Sequence, residues 1–389
     1  MSGLKVSTRA DIAPFFVMEM MRAAAEREAA GGDVVHMEVG QPSTPAPAGA
    51  RAAAKAAIDS DVLGYTSAVG IEPLRRRLAQ HYADWYGLSV DADCLVVTQG
   101  ASGAFTLAFL SCFEAGDRVA VTAPGYPCYR NTLEALDVEV VEIPVTHETG
   151  FRLTTAMLEE AGELDGLVVA SPANPTGTML RPAELDELAR WCHAAGVRLI
   201  SDEIYHGISY GTPAATAAAS SPSAVVVNSF SKYFSMTGWR LGWLLLPPDL
   251  VSPVERLAQN ATIAAATVSQ HAALGAFDSI DELEANVARC AANREILLDG
   301  LPAAGLDRIA PPDGAFYLYA NVDHLTHDSA ELAARWLADL GIATTPGIDF
   351  DPAEGHRYIR FSFAGSNDDM TQTVKRLTAW AQDSTAGRR

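Results

Sequence analysis

Seven short apolar runs, rich in β-branched residues, recur between residues 95 and 246 and set narrow limits on the fold. They are LVVT (95–98), RVAVTA (118–123), VEVVEI (138–143), GLVVAS (166–171), RLISDE (198–203), AVVVNS (224–229) and LGWLLL (241–246). Most are separated by stretches of helical pattern. Continuous runs of this kind are buried on both faces, which predicts a mostly parallel seven-stranded sheet between helices. Only a short loop divides the last two runs, so that pair is open to an antiparallel arrangement.

The texture changes towards the carboxyl end. A long helix is expected over 282–300, closed by Gly300, followed by strands in DGAFYLYANV (313–322), GIATTPGIDF (341–350) and RYIRFSFA (357–364). The amino-terminal stretch has its own helix, Val17 to Ala30, ended by Gly31 and Gly32. A chain of 389 residues exceeds one simple core. The expected fold class is therefore α/β, with a large domain over 45–285. A smaller α+β domain is expected from both chain ends, residues 1–44 and 286–389.

Charge excludes some partners. Lys and Arg number 28 against 48 Asp and Glu, a formal net charge of −20, which repels nucleic acid and anionic membranes. Five scattered cysteines, an odd number without a Cys-x-x-Cys pair, speak against a disulfide framework or a zinc site and for a reducing compartment. The opening MSGLKVSTRADIAPFF is broken by charges and Pro14, unlike a signal peptide. The apolar run Leu241 to Leu246 is far too short to span a bilayer. A cytoplasmic protein is expected.

In open α/β sheets, ligands sit at the carboxyl ends of the strands. After 95–98 comes Gln99-Gly100-Ala101-Ser102-Gly103, opening a helix at about Ala104. Exposed N–H groups there suit a phosphate, although an ordinary tight turn would look the same. Next come Tyr126 in Pro124-Gly125-Tyr126-Pro127 and Asn174 in Ser171-Pro172-Ala173-Asn174-Pro175-Thr176-Gly177. Asp202 follows its run with Glu203-Ile204-Tyr205, and a carboxylate there needs a cation or donor. Lys232, in Ser229-Phe230-Ser231-Lys232, ends a buried run where desolvation makes an amine nucleophilic, and Arg240 lies eight residues on. Each piece alone reads as an ordinary structural residue. Together they offer an anion cradle, an aromatic plate, an amide, a carboxylate and a Lys/Arg pair, suiting a flat phosphorylated aldehyde with a cationic ring.

At this point the chain resembles the fold-type I, class I/II aminotransferases (the aspartate aminotransferase superfamily), over nearly its whole length. ASPANPTGT, SDEIYHG and SFSKYFSMTGWRLGW carry the resemblance, in the family's order. It implies a pyridoxal 5′-phosphate (PLP) cofactor held as an internal aldimine on Lys232, and transamination between an L-amino acid and a 2-oxo acid. Lys232 would also shuttle the substrate proton, Asp202 would pair with the ring nitrogen, and Tyr205 with Asn174 would meet the phenolic oxygen. Tyr126 would stack on the ring. Ala101, Ser102, Ser229 and Arg240 would hold the phosphate, with Ser231 left outside that set.

The resemblance also gives Arg360, in Tyr358-Ile359-Arg360-Phe361-Ser362, as the clamp for the substrate carboxylate. Gly40, in Glu38-Val39-Gly40-Gln41-Pro42, would lie in the loop over the substrate. Tyr65 would reach the phosphate of a second subunit, which implies a homodimer with shared active sites. Phe316 is expected in the core, His193 and His206 are expected to be structural, and Cys128 inert.

Rival readings are weaker. Ser229-x-x-Lys232 fits the Ser-x-x-Lys of penicillin-recognising enzymes, but Ser-Asp-Asn and Lys-Thr-Gly do not occur. Gly100-Ala101-Ser102-Gly103-Ala104 misses a Gly-x-Ser-x-Gly elbow by one residue. A PLP-binding regulator would need a DNA-binding module, for which there is no room before residue 33. A PLP-dependent lyase or decarboxylase would use the same Lys232 and Asp202. The TGWRLGW context and Arg360 favour transamination. The nine histidines form no metal motif, and none is expected to bind one. The amino donor stays open among aspartate, aromatic, alanine-like and branched side chains.

Overall fold

The computed structural model describes residues 4–386. A two-residue strand, β1 (Val35–His36), precedes the seven strands of the main sheet. These are β2 (Leu95–Thr98), β3 (Arg118–Ala123), β4 (Glu139–Pro144), β5 (Gly166–Ala170), β6 (Arg198–Asp202), β7 (Val225–Ser229) and β8 (Gly242–Leu245). Their spatial order is β2-β8-β7-β6-β5-β3-β4. All neighbouring pairs are parallel except those made by β8, which is antiparallel to both β2 and β7. The expected antiparallel pair is therefore present, and β8 lies between two strands that run the other way.

Strands β2, β6 and β7 are buried along almost their whole length, because helices cover both faces. Val, Ile and Leu fill those positions, where β-branched side chains pack well on a pleated surface. The carboxyl ends of β2, β3, β5, β6 and β7 lie along one edge. Register sets Asp202 beside Ala170 and Val227, and Ser229 beside Gly242.

The carboxyl-terminal strands are β9 (Tyr317–Asn321), β10 (Ile342–Ala343), β11 (Thr345–Pro346) and β12 (Tyr358–Ser362). β12 pairs with both β9 and β11, antiparallel in each case. β10 instead pairs in parallel with β1, which ties the two chain ends together. The expected strand over 341–350 is thus two fragments in different sheets, followed by a 3-10 turn at Gly347–Asp349. Thr344 is the crossing point, and Pro346, lacking an N–H, cannot prolong a ladder.

Two further helix boundaries differ from the expected ones. The helix after β2 spans Gly100–Cys112, so Ala101 and Ser102 belong to its first turn. The helix Ile280–Gly300 does not stop in a left-handed residue at Gly300. It runs into a 3-10 turn, Leu301–Ala304, which Gly305 closes at φ 81°. That helix is continuous through residues 285 and 286. The amino-terminal helix is Phe16–Ala29, and Asp349 accepts from the N–H groups of Phe16 (3.1 Å) and Val17 (3.3 Å) at its start. Among the described residues, no helix is long and apolar enough to cross a membrane.

Candidate active site

One cavity of about 290 Å³ opens at the carboxyl edge of the sheet. Gly40, Ala101, Ser102, Tyr126, Asn174, Asp202, Tyr205, Ser229, Lys232, Arg240 and Arg360 all line it. Tyr65 does not; it lies 87% exposed, on a segment held by Thr267 Oγ1 donating to the Gly64 carbonyl at 2.6 Å. Ser231, left outside the predicted set, also lines the cavity, its hydroxyl 2.8 Å from that of Ser229.

Lys232 follows β7 and faces the cavity, its Nζ donating to the Gly40 carbonyl at 2.7 Å. Desolvation, joined by the nearby Arg360 and Arg240 charges, lowers its amine to about 8. An amine so placed is partly neutral, hence nucleophilic, near neutral pH. Across the cavity Asp202 ends β6, its side chain accepting from the Tyr129 hydroxyl and, at 3.0 Å, from the Ile204 N–H. Burial pushes this carboxyl up to about 6, against those two hydrogen bonds. A cationic group opposite it would favour the ionised form.

Two residues shape the start of the helix after β2. Gly100 has φ 72°, and a Cβ there would lie 2.7 Å from Nη2 of Arg240. Only glycine lets the guanidinium lie over the start of that helix, next to the free N–H groups of its first turn. Arg240 is itself left-handed (φ 51°), with Nη1 donating to the Thr237 carbonyl at 2.9 Å.

Arg360, on β12, is buried. Its guanidinium lies over the rings of Tyr317 (4.5 Å) and Phe350 (4.8 Å). Nη1 donates to Asn174 Oδ1 at 2.9 Å, and Nη2 to the Glu38 carbonyl and to Thr345 Oγ1. Nε is buried without a hydrogen-bond partner among the described residues. The hydroxyls of Tyr205 and Tyr317 lie 2.7 Å apart. A Cβ at Gly40 would sit 1.8 Å from the Tyr317 hydroxyl, so no larger residue fits where that loop crosses the tyrosine.

Several lining residues had no signal in the sequence. Tyr129 reads there as a packed helix residue three positions after Tyr126. Phe15, Val17, Met18 and Met21 come from the amino-terminal helix and its approach, and with Val39 and Phe350 they form an apolar wall. Lys232, Arg240 and Arg360 are the cationic residues of the lining. The free thiol of Cys128 is raised by burial, which fits an inert cysteine. Phe316 is buried against Tyr205, as expected of a core residue.

The sequence from residue 32 to 377 matches the family described as aminotransferase class I and II. The chain belongs to that family. It is 52% identical over 381 residues to a valine–pyruvate aminotransferase of Mycobacterium tuberculosis, covering 97% of this chain and 98% of that one. It is 31% identical to an aspartate/prephenate aminotransferase of Thermus thermophilus, over 97% of this chain and 98% of that one. The crystal structure of an aminotransferase from Mycobacterium tuberculosis superposes with a TM-score of 0.96 at 51% identity, covering 98% of this chain and all of that one. An aspartate aminotransferase from Thermus thermophilus, solved with maleate, gives 0.91 at 29% identity over 97% of this chain. The chain is thus an aminotransferase, and the lyase and hydrolase alternatives are not favoured.

Behind the site, the aminotransferase buries two more titratable groups. Glu203 Oε1 accepts from Ser201, Thr216 and the Ala217 N–H, while Oε2 has no hydrogen-bond partner. His206 is bonded to the Tyr86 hydroxyl (2.7 Å) and the Ser171 carbonyl (3.0 Å), the structural role expected of it. Burial pushes Glu203 up to about 8 and His206 down to about 4, so both are neutral at pH 7. Because the folded chain keeps the Glu203 proton longer than the unfolded chain, its stabilisation is complete below pH ~4.5 and fades as pH rises towards 8. Glu203→Gln should remove that slope, leaving the variant about 5 °C more stable relative to wild type at pH 8 than at pH 5. Parallel melting curves across that range would refute a buried proton on Glu203.

Proposed function

We propose that the enzyme uses PLP to move the amino group of an apolar L-amino acid to a short 2-oxo acid. The observation that carries this is the pairing, in one cavity, of the Arg360 guanidinium with an apolar wall and a lysine whose amine burial depresses. The residues present fit the cofactor. Lys232 would hold it through the amine. Ala101, Ser102, Ser229, Ser231 and Arg240 would hold its phosphate, Asp202 its ring nitrogen, Tyr126 its face, and Tyr205 with the Asn174 amide its phenolic oxygen. PLP, when bound, supplies the electron sink that makes the substrate Cα–H acidic.

The chain's own residues supply the rest. Arg360, fixed by two aromatic faces and by Asn174, binds the α-carboxylate and so sets which Cα bond stands across the ring. Lys232, once its amine is released, would carry the proton between Cα of the substrate and C4′ of the cofactor. Asp202 holds negative charge against the ring nitrogen, and Tyr129 fixes its orientation. The apolar wall would receive the donor side chain.

The wall also bears on substrate class. A second carboxylate in the donor would meet Phe15, Val17, Met18, Met21, Val39 or Phe350 with no cation to pair it, a costly burial. The valine–pyruvate name of the relative at 52% identity points the same way. With purified enzyme and PLP, L-valine should exceed L-aspartate in kcat/KM by about 100-fold or more. Preference for aspartate would overturn the apolar reading. Arg360→Gln should raise the KM for valine by about 100-fold while PLP affinity stays within a few-fold. The reverse pattern would move Arg360 to the cofactor.

We also propose a cytoplasmic homodimer. The 87%-exposed Tyr65 and 95%-exposed Val62 flank a segment suited to a second subunit's site, and all five cysteines are free thiols. In this reading residues 45–285 form the cofactor body, and 1–44 with 286–389 form the unit that brings Arg360 and the apolar wall to it.

A further inference from the structure

Behind Arg360, the extended segment 35–40 carries a second layer of contacts. Its backbone is fixed on two sides, with the Met37 N–H donating to the Ala343 carbonyl (2.9 Å) and the Met37 carbonyl accepting from Ser362 (2.7 Å). In an extended chain, residues two apart share a face. His36 and Glu38 do so here, with Nδ1 and Oε1 2.8 Å apart. The Glu38 side chain is only 1% exposed, and its Oε2 is buried without a partner. The carbonyl of the same residue accepts from Arg360 Nη2 and, at 2.9 Å, from Thr345 Oγ1.

A buried carboxylate is costly unless a cation meets it. The cation recorded against Glu38 is His36, whose Nε2 lies 3.3 Å from Glu28 Oε1 on the amino-terminal helix. A ring with a carboxylate at each nitrogen donates to both only as imidazolium. Among the described residues, Glu38 and Glu28 are the charges that act on His36. The β10 residues are Ile342 and Ala343, and Arg376 of the last helix is engaged by Asp33.

We propose that Glu38 and His36 are a charge-paired positioning unit for Arg360. The imidazolium keeps the Glu38 carboxylate seated, and the seated residue presents its carbonyl to hold the guanidinium towards the substrate carboxylate. This rests on the reading of Arg360 as the carboxylate clamp. Neither residue touches the reacting atoms. The ring is 41% exposed, so the charge state of a group in contact with solvent bears on substrate affinity. Its carboxylate partners hold the proton up to a pH of about 9. Because that value is raised, the support is complete below the ordinary histidine range and is lost as pH rises through 9.

The test is calorimetric binding of 3-methylbutanoate, a carboxylate without an amino group, to the PLP-loaded enzyme. His36→Gln should weaken binding about tenfold at pH 7.5 and change kcat for valine less than twofold. The wild-type Kd should rise through pH 9, and that of H36Q should not. The double variant H36Q/E38Q, which removes both charges together, should recover most of the lost affinity, so that the two single effects do not add. Wild-type binding by H36Q, or additive effects in the double variant, overturns the pairing. If E38Q does not fold, the two pH profiles decide alone. Arg360→Gln separates the two levels of inference. Unchanged binding there overturns the clamp and this proposal with it, whereas lost binding there beside wild-type binding in H36Q overturns the pairing only.

Discussion

Lys232→Ala is expected to lower transamination by about 10⁴-fold or more while the fold stands, since in the proposed mechanism one side chain both anchors the cofactor and moves the Cα proton. The fold survives because nothing structural hangs on the amine. The amine donates to the Gly40 carbonyl, and desolvation, with Arg360 and Arg240 against the pull of Asp202, already disfavours its charge. Removing a desolvated amine from that neighbourhood relieves repulsion. The measurement is turnover of valine with pyruvate at saturating PLP, beside a melting curve. Turnover within tenfold of wild type would mean that Lys232 is not the anchor. Loss of both turnover and cooperative melting would mean that the lysine is structural.

The second large effect is expected at Asp202. An asparagine there keeps the volume and can still accept from the Ile204 N–H through its one oxygen, with its amide N–H facing the Tyr129 hydroxyl, yet it cannot carry negative charge. PLP should still bind, because the proposed phosphate cradle at Gly100–Ser102 and Arg240 is untouched. Turnover should drop by about 10³-fold, the range typical of losing one preorganised charge at a reacting centre. Tyr129→Phe should act in the same direction but more weakly, near tenfold, since it removes one hydrogen bond of about 1–2 kcal/mol. Near-normal rates in Asp202→Asn would reassign the partner of the ring nitrogen.

What was readable in the sequence divides along a physical line. The seven strands of the main sheet were legible because a strand covered on both faces must be apolar throughout, and that is a local property. Lys232, Asp202 and Asn174 were legible because each sits at a strand end, where an isolated polar group needs a reason. Tyr129 was not, since a tyrosine on a helix packs equally well with or without a carboxylate at its hydroxyl. The apolar wall from Phe15 to Met21 was hidden for a different cause. Nothing in those residues announces which distant surface they will cover. The fragmentation of 341–350 shows the same limit, because its apolar pattern fits one strand and only the competition between two sheets breaks it. The hold of Glu38 on Arg360 runs through a backbone carbonyl, which every residue possesses.

The pairing of β1 with β10 has a consequence for the order in which this enzyme is built. Glu38 and Thr345 are 307 residues apart in the chain, and Arg360 is 322 residues from Glu38. At ordinary rates of translation the first strand waits about 15–60 s for its partner to be made. Over that interval the main sheet, with Gly100, Asp202, Lys232 and Arg240 already in place, is complete in sequence. The nascent chain therefore carries Asp202, Lys232 and Arg240, with the Phe15 to Met21 side of the apolar wall, well before Phe350 and Arg360 are made.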